Sequence, residues 1–167
     1  TFNWGWNNSF NYKNFDFSFF VIGFHGFDIY NATHQMGFNA VSGQNMAAVT
    51  PMRDFLNRWT PTNTNTDVPG FVQGGTENKI FSTRFVENGS FIKMKSITLG
   101  YTLPEQTCKS LGITNLRVYA SVQNPFHITN YSGLDPEATM GSPLVQGVDW
   151  GAYPHSRNYL ISLNFAF

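Results

Sequence analysis

Charge is what this sequence has least of: only 12% of its 167 residues are charged, about half of the ~25% usual in soluble domains. The ten Lys+Arg and ten Asp+Glu cancel to a formal net charge of zero. That removes the basic stripe nucleic acid requires and any polybasic membrane anchor. Cys108 is the single cysteine, so no internal disulfide staples the chain. Long apolar runs are also missing. The best, from Phe17 to Phe24, is broken by Ser18 and Gly23, far short of the ~18 residues of a helical span. The start, Thr1-Phe2-Asn3-Trp4, carries neither an initiator Met nor a cationic leader with an apolar core. The chain is therefore expected to be processed or a piece of something longer. What is present in quantity is aromatic: 17 Phe, 7 Tyr and 4 Trp within a hydrophobic fraction of 41%. Such a composition disfavours disorder, which goes with few aromatics and much charge.

The aromatics are distributed with a period of two. Phe2, Trp4, Trp6, Phe10 and Tyr12 share one parity, and Asn3, Gly5, Asn7, Ser9 and Asn11 the other. Successive side chains of a strand point to opposite faces, so this is a strand with an aromatic and a neutral polar face. Lys13-Asn14 reads as a tight turn, and Phe15, Phe17, Phe19 and Val21 return against Asp16 and Ser18. Alternation resumes with Ile97, Leu99, Tyr101 and Leu103 and ends at Pro104, which cannot donate to a ladder. It continues with Leu116, Val118, Ala120 and Val122, and again with Tyr159, Ile161, Leu163, Phe165 and Phe167. The pattern predicts five strands, at about residues 2–12, 15–24, 91–103, 115–124 and 157–167. Between them lie short connections and two long irregular ones, about 27–89 and 125–156. The first long one includes a helix-compatible stretch from Gln44 to Trp59, broken by Pro51, and a low-complexity, solvated run from Thr60 to Thr66.

Strands of about ten residues, each apolar on one face and neutral polar on the other, joined by alternately short and long connections, fit a transmembrane antiparallel β-barrel. Its apolar positions face lipid and its polar ones a watery lumen. A soluble carbohydrate-binding β-sandwich also alternates, but its outward face normally carries many Lys and Glu; fractionation separates the two. A passive porin or adhesin barrel shares the strands, and the residues preceding Thr1 discriminate it. The terminal Phe167, with Tyr159, Ile161, Leu163 and Phe165 at alternate positions behind it, resembles the C-terminal signal read by the barrel-assembly machinery. A last strand ending on the periplasmic side puts both long connections outside.

Several motifs in order resemble the C-terminal region of SusC/RagA-type TonB-dependent outer-membrane transporters. They include Tyr12-Lys13-Asn14-Phe15-Asp16-Phe17-Ser18-Phe19-Phe20, Phe27-Asp28-Ile29-Tyr30-Asn31, and the long stretch from Ser82 to Pro104. Leu116-Arg117-Val118-Tyr119, Gln123-Asn124-Pro125-Phe126, and Tyr131-Ser132-Gly133-Leu134-Asp135-Pro136-Glu137 follow. Near the end stand Gly147, Asp149, Gly151, Tyr153-Pro154 and Arg157. Coverage is weakest from Phe38 to Gly75. The resemblance implies an all-β fold in which residues 1–167 supply the last five strands of a ~22-stranded barrel. The plug domain would lie outside this chain. It further implies import of glycans or peptides, a SusD-like surface lipoprotein lid, and energy delivered through TonB. The setting would be the outer membrane of a Gram-negative, Bacteroidota-like bacterium.

No reaction chemistry is expected. His25, His34, His127 and His155 lack metal-ligand spacing, Asp135-Pro136-Glu137 reads as an acidic turn rather than a glycosidase pair, and no nucleophile elbow is present. Cys108 reads as an incidental thiol, and neither cofactor nor catalytic or metal-binding residue is expected. Trp4, Trp6, Tyr12, Tyr101 and Tyr159 suit either sugar stacking or an interfacial girdle, the girdle being commoner at strand ends. Trp59 with Arg58, and Trp150 with Asp149, fall in the long connections and are the candidates for substrate or lid contact.

Overall fold

Each alternating segment becomes a strand with lateral partners. The computed structural model describes residues 1–39, 53–70, 80–138 and 146–167; the first part of the Gln44–Trp59 stretch lies outside them. Contacts divide the chain into two units, 1–27 with 89–130 and 154–167, and 28–88 with 131–153.

The first unit is one antiparallel sheet in sequence order, β1 (Phe2–Tyr12), β2 (Phe15–His25), β5 (Phe91–Thr102), β6 (Asn115–Thr129) and β8 (Asn158–Ala166). Both outer strands, β1 and β8, have a free edge, so the sheet is open. A two-residue turn at Lys13 (φ 53°) and Asn14 joins β1 to β2. Between β5 and β6 the chain makes a six-residue helix, α2 (Glu105–Ser110). That helix buries Cys108.

Register carries one apolar face across all five strands. Phe10 pairs with Phe17, Phe17 with Leu99, Leu99 with Ala120 and Ala120 with Ile161. The next row on that face runs Asn8, Phe19, Ile97, Val122 and Tyr159. Rings interlock within it: Trp6 meets Phe19 edge-on at 5.1 Å, and Phe15 lies 4.6 Å from Tyr101. Such pairs add about 0.5–1.5 kcal/mol beyond their buried area. Yet Phe10, Leu99 and Ile161 remain half or more exposed.

The opposite face carries Asn11, Asp16, Gly100, Tyr119 and Ser162 in one row and Ser9, Ser18, Thr98, Ser121 and Leu160 in the next. An ion pair crosses it diagonally. Arg117 on β6 donates through Nε and Nη2 to both carboxylate oxygens of Asp16 on β2, at 3.0 and 2.6 Å, across the intervening β5. The crossing needs Gly100 beneath it, because a Cβ there would stand 2.4 Å from the Asp16 carboxylate. Toward the long-connection end this face turns apolar, with Phe20, Ile22 and Phe24 on β2 and the buried Phe91 stacked on Phe24 at 5.2 Å.

Strict alternation hides a bulge. Phe20 pairs with Ser96 and Val21 with Met94, so Lys95 is extra in β5; opposite it β6 inserts Asn124 (φ 50°) and Pro125. A bulge is where a strand tolerates a residue without an N–H. It lets β6 run to Thr129, so the second long connection starts near 130 instead of 125. It also rephases β5. Lys93, which shares parity with Ile97, turns to the polar face, buried, with Nζ 3.3 Å from Nδ1 of His155.

The second unit corrects the expectation of irregular outer loops. It holds β3 (Asp28–Asn31), α1 (Ala32–Asn39), β4 (Val86–Asn88) and β7 (Val148–Asp149), with β4 antiparallel and β7 parallel to β3. Tyr30, Ala32, Val68 and Phe85 form its core, with Val148 packed on them. The Thr60–Thr66 run is folded, not simply solvated: Thr60 and Asn63 form a bridge, and the Asn63 amide and Thr66 hydroxyl both donate to the carbonyl of Asn57. These strands are too short and too distant in sequence for periodicity to show them.

The diagonal pair yields a test. Gly100→Val should push the Asp16 carboxylate off Arg117 and lower the temperature at which the folded sheet loses its heat-modifiable migration. Arg117→Ala should give a similar drop, and combining the two should add little. Additive losses would mean that Gly100 does not act through the pair.

Candidate functional site

The polar centre of the second unit is assembled around one carboxylate. Asn31 ends β3 and caps α1, its Oδ1 accepting the backbone N–H of His34 at 2.8 Å, as N-cap residues do. Its amide donates at 2.9 Å to Oε1 of Glu87, on β4. The same oxygen accepts the Ser132 hydroxyl at 2.8 Å, and Oε2 accepts the Ser132 backbone N–H at 2.8 Å. Nδ1 of His34 stands 3.6 Å from Oε1. Burial pushes the Glu87 carboxyl up, but the Ser132 and Asn31 hydrogen bonds and the nearby His34 outweigh it, and the group lies below its ordinary value.

Serine, histidine and glutamate therefore meet here, but the carboxylate stands between the other two. A hydrolytic relay requires the imidazole on the hydroxyl, whereas the Ser132 hydroxyl is bonded to the carboxylate. The cluster ties chain segments together.

A second acid, Asp149, is buried beside it. Its Oδ1 accepts the backbone N–H groups of Gly151 and Ala152 at 2.9 and 3.0 Å, and its Oδ2 accepts the Tyr131 hydroxyl at 2.7 Å. Burial, then the hydrogen bond to Asp149 and its charge, push the Tyr131 phenol far up, so it stays a donor. Between the two clusters lies an open pocket of about 340 Å³, lined by Asn31, Thr33, His34, Ser132, Gly133, Leu134, Asp149, Gly151 and Ala152.

The residues singled out from sequence fall in separate places. Asp149 lines the pocket, but its oxygens serve the fold; its neighbour Trp150 is half exposed. Trp59 is also half exposed and donates its backbone N–H to Val68 at 2.8 Å; the Arg58 guanidinium covers the Phe55 ring at 4.8 Å. Among the described residues the Trp59–Arg58 pair and the Asp149–Trp150 pair make their contacts separately. Tyr159, Ile161, Leu163 and Phe165 pair with Val122, Ala120, Val118 and Leu116, and Phe167 extends past β8, almost fully exposed. Asn31, Glu87, Tyr131 and Ser132 were not singled out from sequence as site residues. The signal available was an Asn before a helix-compatible stretch; nothing in the sequence links it to residues far along the chain.

The chain has relatives. No protein-family model matches the chain. TonB-dependent receptor P3 of Formosa agariphila is 36% identical over 173 aligned residues, covering 99% of this chain. TonB-dependent receptor SusC of Bacteroides thetaiotaomicron is 34% identical over 160, covering 93%. Among solved structures, the RagAB peptide importer in its open-open state superposes with a TM-score of 0.81 at 28% identity, over 99% of this chain. Its closed-closed state gives 0.76. The chain spans only 14–16% of the length of the curated relatives it matches, and 17% of the open-open RagAB chain. These likenesses place the chain among TonB-dependent receptors. Within that class it belongs to the SusC/RagA family, as a segment of a member.

The Glu87 cluster makes a pH prediction with a definite sign. A carboxyl depressed in the folded state contributes stability above its ordinary value of 4.5 and loses it as pH falls below that value through the folded-state one. Protection of the Ser132 amide from hydrogen exchange should fall in that acid range. Glu87→Gln should cost about 1–3 kcal/mol at neutral pH, by leaving a partly buried donor unpaired, and should flatten the acid response. An unchanged acid response in that variant would assign the effect to another group.

Proposed function

We propose that this chain is the C-terminal part of an outer-membrane active transporter importing glycans or peptides. Its five strands form part of a barrel wall, and its two long connections stand on the extracellular side. The observation that carries this reading is the apolar face kept in register across all five strands while many of its side chains remain exposed. Water disfavours such a continuous apolar surface, and hydrocarbon accepts it when every interior main-chain group is paired sideways. The neutral polar face then borders the lumen, and the free edges of β1 and β8 join the remaining strands of a large, plugged barrel. The relatives named TonB-dependent receptor support energy coupling through TonB, by a part of the protein outside this chain. The SusC and RagAB likenesses support a SusD-like surface lipoprotein as partner, with the half-exposed Trp59 as a contact for it. Tyr159, Ile161, Leu163, Phe165 and Phe167 serve in this reading as the assembly signal. The relatives are receptors, which favours a role without catalysis.

The direct test exploits the two faces. Leu99→Arg places a cation in lipid, at a cost of about 2–4 kcal/mol near the midplane, and should abolish stable insertion of the full-length protein. Thr98→Arg should insert normally. Outer-membrane fractionation with heat-modifiable migration reads both, and equal insertion would reverse or remove the face assignment. Trp59→Ala should reduce the lipoprotein recovered with the inserted transporter several-fold. Undiminished recovery would take Trp59 out of that interface.

A further inference from the structure

The apolar face of the first unit holds one residue that does not suit it, and its consequence rests on the barrel reading proposed above. Asn8 lies inside β1, and β1 pairs with β2 without a break in register from Phe2–His25 to Tyr12–Phe15. Asn8 therefore shares its face with Trp6 and Phe10, two residues to either side, and stands opposite Phe19. The Phe19 ring meets Trp6 edge-on at 5.1 Å and stacks on Phe10 at 6.3 Å, so rings flank the amide above and below. The same row continues through Ile97 and Val122, whose side chains carry no polar atom. Asn8 is also far from either rim. Phe10 and Tyr12 separate it from the β1–β2 turn, and Trp6, Trp4 and Phe2 from the other end of the strand.

An amide at that height carries donors and an acceptor into hydrocarbon, where no water pairs with them. Among the described residues none pairs with them either: the half-buried Asn8 side chain makes no hydrogen bond. The nearest place for a partner is the wall itself. β2 holds one side of β1, and the other edge is free. A strand laid on that edge would set its own lipid-side residue about 4.5–5.5 Å from Asn8, Cβ to Cβ. A second barrel would instead have to reach the amide between the half-exposed rings of Trp6 and Phe10. Chain enough for such a strand lies elsewhere in the protein, since this segment spans only 14–16% of the curated relatives.

We propose that Asn8 is a contact site for the strand that joins the free edge of β1, a part of the protein outside this chain, and that its partner there is a hydrogen-bonding side chain (Ser, Thr, Asn, Gln or Tyr) facing lipid at the same height. The contact sets register. A slip of one residue would turn that partner to the lumen, and a slip of two would move it about 7 Å along the strand, out of reach.

The test uses the full-length protein purified from outer membranes in detergent. Asn8→Leu separates lipid from a partner by the sign of its effect. Beside lipid it removes a polar group from hydrocarbon and stabilises the fold; beside a partner it leaves that partner unpaired. At the wild-type midpoint of heat-modifiable migration, Asn8→Leu should cut the folded-to-unfolded ratio about threefold, the worth of one side-chain hydrogen bond within a membrane. Single cysteines at the lipid-facing positions of the joining strand, combined with Asn8→Cys and Cys108→Ser, should form a disulfide at one height. The natural residue there should carry a hydrogen-bonding side chain. Replacing it by Leu should cost as much as Asn8→Leu, and replacing both should cost little more. Higher stability of Asn8→Leu, an apolar natural residue at the cross-linked position, additive losses, or conversion of an oligomer to monomers by Asn8→Leu would each overturn the contact. Fractionation distinguishes this failure from that of the barrel reading. A full-length protein that stays in the outer membrane through carbonate extraction keeps the barrel whatever Asn8 does; one recovered in the soluble fraction loses the barrel and the contact with it.

Discussion

The first unit rests on one constraint: a strand has two faces, and here one of them stays mainly apolar across five strands while the main chain is paired between neighbours except at the bulge. Side-chain alternation satisfies the first demand and the antiparallel ladder the second. Charge is scarce because neither face wants it. On the polar face Asp16 and Arg117 are held against each other above Gly100 as a neutral pair, and Lys93 is buried beside His155.

That constraint also decides what could be read from residues alone. Period-two alternation is local and strong, so β1, β2, β5, β6 and β8 were visible without coordinates. The bulge was not. Lys93 and Lys95 sit at the parity of Ile97 and Leu99, and only the pairing of Met94 with Val21 on one side and Phe126 on the other reveals the change of phase. Pro125 was a clue, since a proline inside a long strand marks an irregularity, but it does not say which neighbour shifts.

The second unit was nearly illegible for a different reason. Its strands are two to four residues long, below the length at which any period can be counted. Its polar centre joins Asn31, Glu87 and Ser132, each in a different stretch of chain. No spacing rule anticipates that meeting. Asp149 is a contact candidate because it stands beside Trp150 in a long connection; its burial and its three internal hydrogen bonds have no signature in the sequence. The histidines lacked metal-ligand spacing along the chain, and His34 and His155 turn out to stand by a carboxylate and a lysine.

The stitching of the second unit from two separated stretches orders events in time. Glu87 and Ser132 are 45 residues apart, and Asn31 and Ser132 are 101 apart. Between the first pair lies the whole β5–α2–β6 excursion. Closing such distant contacts early would cost loop entropy that nothing yet repays. The β5–β6 hairpin, whose partners are near in sequence, shortens that loop once it forms. The hairpins of the first unit therefore form first, and the contacts that join the separated stretches of the second unit close last.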